Sequence, residues 1–259
     1  MSAEPLAQDY VEVARPPSPQ VFTGECALTH LPGGDLLASY RFFSRPDHPR
    51  WSFNLARSCD GGQSWERLPA LDLCDGLPFV HSGNLYLLAN NVGDVEVNAA
   101  GETIHGGPQA ARDIVISRSD DEGQSWRKPV TLFKGSFWNA PTGIALANGH
   151  LYRAFDVPDP GAGNLDDVGR SVVVVAGDLS RNLLDPAAWR ISPPVEFPGV
   201  PESLKRGLYE RYNDNRWVEP NVVCVRGRLR VLSRVRIDRL ATANMCAVCD
   251  LDDDGEHLS

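Results

Sequence analysis

The octet Ser58-Cys59-Asp60-Gly61-Gly62-Gln63-Ser64-Trp65 returns later in the chain as Ser119-Asp120-Asp121-Glu122-Gly123-Gln124-Ser125-Trp126. Both fit S-x-D-x-G-x-S-W, a pattern whose chemistry is local. Ser and Asp side chains hydrogen-bond the amides of a tight turn, and glycine accepts a positive φ that a side chain resists. The tryptophan that follows is a large apolar plug, suited to the space between neighbouring sheets. One copy is within the reach of chance, whereas two in register are the mark of an internal repeat. Two weaker copies extend the series at similar spacing. Trp189 closes Asp185-Pro186-Ala187-Ala188-Trp189, and Leu258 takes the tryptophan slot of Leu251-Asp252-Asp253-Asp254-Gly255-Glu256-His257-Leu258.

A second repeated feature runs ahead of each turn: a short strand, a glycine turn and another strand. The copies are Ala27–His30 with Leu36–Phe43, Leu77–His81 with Leu85–Ala89, Thr142–Ala147 with Leu151–Phe155, and Val222–Val225 with Arg228–Arg234. These spacings predict tight hairpins. An apolar-alternating stretch, Phe53–Arg57 or Ile114–Arg118, precedes each strong octet and supplies a third strand, with room for a fourth. Four strands per repeat make one blade, so the expected fold is an all-β propeller of four-stranded blades. The 23 glycines and 20 prolines among 259 residues agree with many short strands and turns. A ring must close or leave sheet edges open. The fourth repeat stops at its own turn, so about four blades of an expected six are read here, with four blades in a poorly closed ring as the alternative. Residues 1–20, polar and proline-rich, read as a tail or strap, and residues 21–259 as the propeller domain.

Charge narrows the partners. Thirty-four acidic against 25 basic residues give a net charge of −9, which argues against nucleic acid, since phosphate binding rests on clustered Lys and Arg. No apolar run is long enough for a membrane span. Residues 1–20 contain no hydrophobic leader core, so the sequence as written predicts a cytoplasmic protein, secreted or periplasmic if the true start lies upstream. Cys246 and Cys249 form a lone C-x-x-C without partner ligands, and with Cys224 they read as buried apolar thiols. No histidine pair at metal spacing and no glycine-rich phosphate loop occurs, so neither metal nor cofactor is expected.

Connectivity locates the site. The start of each inner strand and the end of each second strand share one mouth, and the octet turns fall on the other side. This mouth is expected to carry Gly24, Glu25, Arg41, Arg45 and Asp47 from the first blade and Asn90 and Asn91 from the second. Trp138, Asn139, Arg153 and Asp156 come from the third, and Glu219, Arg234 and Arg236 from the fourth. Guanidinium forks pair with carboxylates, and a carboxylic acid can protonate a glycosidic oxygen.

With these repeats, the chain from about Val21 to Ser259 resembles the sialidase superfamily, whose blades carry such turns, called Asp boxes. The resemblance implies an exo-α-sialidase-like glycoside hydrolase acting on a terminal, acidic sugar of a glycan. The alternative is a non-catalytic carbohydrate-binding or protein-interaction propeller. Trp217-Val218-Glu219-Pro220-Asn221-Val222-Val223 is similar to the segment bearing the family's catalytic Glu, and Arg234 ends the strand where a substrate-binding Arg is placed. Asp47 falls where the family's acid/base lies, with Asp156 as its rival. Arg45 and Arg153 are candidates for the sugar carboxylate. The first blade reads Thr23-Gly24-Glu25-Cys26 where sialidases carry Arg-Ile-Pro, and no residue matches the nucleophilic Tyr or the last Arg of the triad. Little sialidase turnover is therefore expected of this chain.

Overall fold

A computed structural model of the protein describes residues 10–43, 52–91, 95–97, 103–105, 112–139, 143–159, 170–199, 201, 216–236, 245–252 and 255–258. Strands β1 (Phe22–His30), β2 (Leu36–Phe43), β3 (Ser52–Ser58) and β4 (Glu66–Arg67) pair in chain order as the first antiparallel sheet. The second joins β5 (Leu73–His81), β6 (Asn84–Asn91), β9 (Ile114–Ser119) and β10 (Val130–Phe133), and β7 (Val95–Val97) and β8 (Thr103–His105) form a separate hairpin between β6 and β9. The third runs β11 (Ala145–Ala147), β12 (His150–Pro158), β13 (Arg170–Asp178) and β14 (Trp189–Ile191). The fourth holds β15 (Arg216–Val225), β16 (Arg228–Arg236) and β17 (Met245–Asp250), followed by an isolated Leu251–Leu258 bridge. These are four blades of a β-propeller, as the repeats predict. The inner strands β1, β5 and β15 start earlier than the apolar pattern indicates, because an irregularity in each hides the alternation, whereas β11 begins at Ala145 rather than Thr142.

The hairpins close through the turns the glycines require. Ser82-Gly83, Asn148-Gly149 and Arg226-Gly227 all take positive φ at both positions, between 48° and 76°, the two-residue geometry that matches strand twist. At the far end, the two strong octets repeat one hydrogen-bond pattern. The Ser58 hydroxyl accepts from the Gly62 amide at 2.8 Å, and Asp60 accepts from the Ser64 amide at 2.9 Å and hydroxyl at 2.6 Å. Ser119, Gly123, Asp121 and Ser125 do the same at 2.8, 2.8 and 2.5 Å.

Apolar side chains weld the blades in series. Leu37, Leu55, Leu85, Leu87 and Val115 fill the space between blades one and two, with Trp126 packed against them. Leu88, Ile114, Leu151, Phe155, Val173 and Trp189 fill the next, and Tyr152, Ala154, Val174, Trp217, Val231 and Leu251 the last, with Leu258 beside them. Alternation on β12 explains the pattern: Leu151 and Phe155 face blade two while Tyr152 and Ala154 face blade four. Trp65 has no blade of this series on its side and packs instead with Tyr40, Phe42, Val13 and Ala14. A cavity of about 420 Å³ lies there, between Glu12–Ala14 and strands β1 and β2, and is mostly apolar.

The cysteines correct one expectation. Cys224 and Cys246 are exposed and Cys249 only half-buried. Cys246 and Cys249 are three apart on β17, so they point to opposite faces of the strand, and Cys224 lies toward the hairpin end of β15. Among the described residues no helix is long and apolar enough to cross a membrane.

Candidate active site

Three inner strands break register at the same place. The pairing of β1 with β2 shifts between Gly24 and Ala27, that of β5 with β6 between Cys74 and Leu77, and that of β15 with β16 between Val218 and Asn221. Inside each irregularity stands a carboxylate residue in the left-handed region: Glu25 at φ 52°, Asp75 at 51° and Glu219 at 56°. Side-chain-bearing residues adopt this conformation rarely, and bulges that contain them re-aim a side chain next to functional sites. In the sequence, Trp138-Asn139-Ala140-Pro141 carries alanine where Trp217-Val218-Glu219-Pro220 carries Glu219.

Buried charged groups connect these strands at the mouth. Arg41, on β2 and 1% exposed, donates through Nη1 to both Glu25 Oε2 and Asp75 Oδ1. Arg112, just before β9, brings Nη1 within 3.7 Å of Asp75 Oδ2 and stacks its guanidinium 3.8 Å over the Trp138 ring. Burial pushes the Glu25 carboxyl up to about 7; Arg41 opposes that shift and Asp75 adds to it. Burial also lowers the Arg112 guanidinium.

Strand β12 then acts in both directions. Arg153 and Asp156 are three apart and therefore face opposite blades. Arg153, wholly buried, donates Nη1 to the Leu88 carbonyl and Nη2 to the Asp75 carbonyl, both at 2.7 Å. Its pKa falls to about 10 through burial. Asp156, also wholly buried, accepts the Glu219 amide at 3.1 Å and Arg170 Nη1 at 3.3 Å, both on Oδ2, while among the described residues Oδ1 has no hydrogen-bond partner. Burial raises its carboxyl to about 7. Blade three thus holds the main chain of two left-handed carboxylate residues, Asp75 through its carbonyl and Glu219 through its amide. Gly76 completes the first of these, because a Cβ there would meet the Phe53 ring at 2.5 Å.

Arg234 Nη2 lies 3.0 Å from Glu219 Oε1, so the structure brings these two expected residues together, both partly exposed. Arg153 and Asp156, expected against the sugar, sit behind the mouth instead, fully enclosed between blades. Asp47 and Arg45 lie outside the described residues, as do the side chain of Arg236 and its surroundings. Asn90 and Asn139 are buried ties: Asn90 Nδ2 donates to the Arg112 carbonyl at 3.2 Å, and Asn139 Nδ2 to the Ala154 carbonyl and, at 3.3 Å, the Pro220 carbonyl. Asp75, Arg112 and Arg170 were not anticipated as site residues. The signal for Asp75 was present: Glu25, Asp75 and Glu219 stand at matching distances ahead of their hairpin glycines.

No protein-family model and no curated protein sequence matches the chain. Solved structures do. A protein of unknown function from Dyadobacter fermentans superposes with a TM-score of 0.63 at 15% identity, over 96% of this chain and 70% of that one. A Penicillium chrysogenum α-L-arabinanase complexed with arabinobiose gives 0.52 at 18%, over 95% and 72%. A Hadza microbial sialidase gives 0.57 at 17%, over 92% of this chain and 46% of its own. The fold is that of the propeller glycosidases. At these identities the likeness is one of architecture, common to enzymes of different sugar specificity.

Proposed function

We propose that the mouth is a sugar-cleaving site of the glycoside hydrolase kind, acting on a terminal residue of a glycan. The observation that carries this reading is the recurrence of a carboxylate residue, Glu25, Asp75 and Glu219, in a left-handed irregularity of the inner strand of three blades, with Glu25 and Asp75 joined through Arg41. Carboxylates in unlike surroundings are what glycoside hydrolysis needs: one group holds a proton for the leaving oxygen, and another carries negative charge near the anomeric carbon. In the sialidase-like form of this reading, Glu219 supplies that charge. Arg234, paired with it, takes the carboxylate of an acidic sugar, and Asp47 and Arg45 stay candidates from the sequence alone. The superposed arabinanase was solved with arabinobiose, and an α-L-arabinofuranosidase of the same fold with an iminosugar inhibitor. Those ligands extend the substrates to be tried to neutral pentoses.

The test is turnover of a fluorogenic panel, an α-sialoside, an α-L-arabinofuranoside and a β-D-xyloside, by the protein and by Glu219→Gln. Hydrolysis of one member, reduced in the variant, supports the reading and names the sugar. Saturable sugar binding with no hydrolysis by the folded protein replaces it with the carbohydrate-binding alternative.

A further inference from the structure

The mouth contains two carboxylates joined by a single nitrogen. Arg41 Nη1 donates to Glu25 and to Asp75 at once. The two acids are not equivalent. Asp75 is 1% exposed and faces a second guanidinium, Arg112, whereas the Glu25 side chain keeps 21% of its surface open and has Arg41 as its cationic partner. Asp75 is thus enclosed between two arginines, and Glu25 is the member of the pair left partly open. The fold invests in both. Each residue is kept in the left-handed region, and Asp75 is further fixed by Arg153 on its carbonyl.

Resting on the reading of the mouth as a sugar-cleaving site, we propose that Glu25, paired with Asp75 across Arg41, is the group that gives its proton to the leaving oxygen of a glycoside. The C–O bond breaks with its electron pair on the leaving oxygen, which takes the Glu25 proton. Water then adds to the anomeric carbon, and the proton it releases restores Glu25. Among the described residues, the charged and titratable groups around Glu25 are Arg41 on β2, Asp75 and Cys74 on β5, Arg112 before β9, and Cys26 on β1. Asp75 pushes the Glu25 carboxyl up and Arg41 pulls it down, on top of burial. This role replaces the one expected of Asp47.

The experiment is the pH–rate profile of the protein, Glu25→Gln, Asp75→Asn and Asp47→Asn. Each is assayed on two glycosides of the sugar that is turned over: an alkyl glycoside and a dinitrophenyl glycoside, whose leaving group needs no proton. Glu25→Gln is expected to lower kcat/KM for the alkyl glycoside by about 10²–10⁴-fold and to abolish the fall in rate as pH rises through 7. The dinitrophenyl glycoside is expected to lose far less. Asp75→Asn is expected to move that fall to lower pH, because it removes the negative charge that favours the proton on Glu25. If Glu25→Gln slows both substrates equally, or Asp47→Asn alone abolishes the alkaline fall, the assignment of the proton to Glu25 is overturned while the site stands as a glycosidase. If the unmodified protein turns over neither substrate with any sugar of the panel, the sugar-cleaving reading itself falls, and this step with it.

Discussion

Asp60 and Glu25 belong to the same blade and sit at opposite ends of its strands, in environments that ask opposite things of a carboxyl group. Asp60, in the octet turn, accepts from the Ser64 hydroxyl and amide and the Ser58 hydroxyl, and these donors hold its pKa down to about 2. Asp121 is lowered in the same way by Ser125. Glu25, at the mouth, is pushed up to about 7 by burial, and so is Asp156 behind it. The turn carboxylates stay charged in order to organise eight consecutive residues. Glu25 and Asp156 are largely buried, where a proton is easier to keep than a charge. The same functional group serves as a charged turn anchor at one end of the blade and holds its proton to about pH 7 at the other.

The comparison breaks most visibly if the turn end matters to catalysis. Trp189, which donates Nε1 to the Leu183 carbonyl at 2.8 Å and plugs the space between blades two and three, belongs to that end. Trp189→Ala is expected to cost about 3–5 kcal/mol, read from chemical denaturation, with the pH dependence of any residual activity unchanged. A shifted profile would mean that the two ends are coupled.

Asp156 sharpens the comparison through stability. In the folded chain its carboxyl keeps a proton up to about pH 7, whereas unfolded it releases it near 3.9. The site's contribution to stability is therefore complete below about pH 4 and is lost as pH rises through about 7. Asp156→Asn keeps an oxygen for the Glu219 amide but cannot ionise. The fall in unfolding free energy between pH 5 and pH 8 is expected to shrink by on the order of 2 kcal/mol in this variant.

The smallest effect is expected at the turn itself, and with the reverse sign. Because the Asp60 pKa is depressed, its contribution is present above the unfolded value and is lost as pH falls through about 2. Asp60→Asn is expected to lower the melting temperature slightly at neutral pH, by less than Trp189→Ala, and to leave the two proteins alike in strong acid. Melting curves across pH 1.5–7 check this.

The two ends also differ in how much of them a sequence displays. The octets were legible because every bond that makes them lies within eight neighbouring residues, Ser58 to Trp65 and Ser119 to Trp126. The blade count followed from their recurrence and from the glycine hairpins. The mouth is assembled from Glu25 in blade one, Asp75 and Arg112 in blade two, and Glu219 and Arg234 in blade four, with Asp156 and Arg170 of blade three enclosed behind it. No local pattern joins these. Glu219 and Arg234 were named from the resemblance of their segment to the sialidase one, and the pairing of Val218 with Arg234 then brings the two together. Arg153 and Asp156 were placed on the right strand, but their parity on β12 decides which neighbouring blade each one enters, and burial there turns both from sugar contacts into clamps on the backbone. Asp75 escaped because its irregular strand start breaks the alternation that marks the rest of β5.

The most direct test of the account follows the Glu25 and Asp60 carboxyl carbons by NMR in protein labelled at Asp and Glu side chains, with Glu25→Gln and Asp60→Asn supplying the assignments. Glu25 is expected to titrate near pH 7 and Asp60 near pH 2, one polypeptide holding the same group at both extremes. Glu25 titrating in the ordinary carboxylate range, beside Asp60, would contradict it.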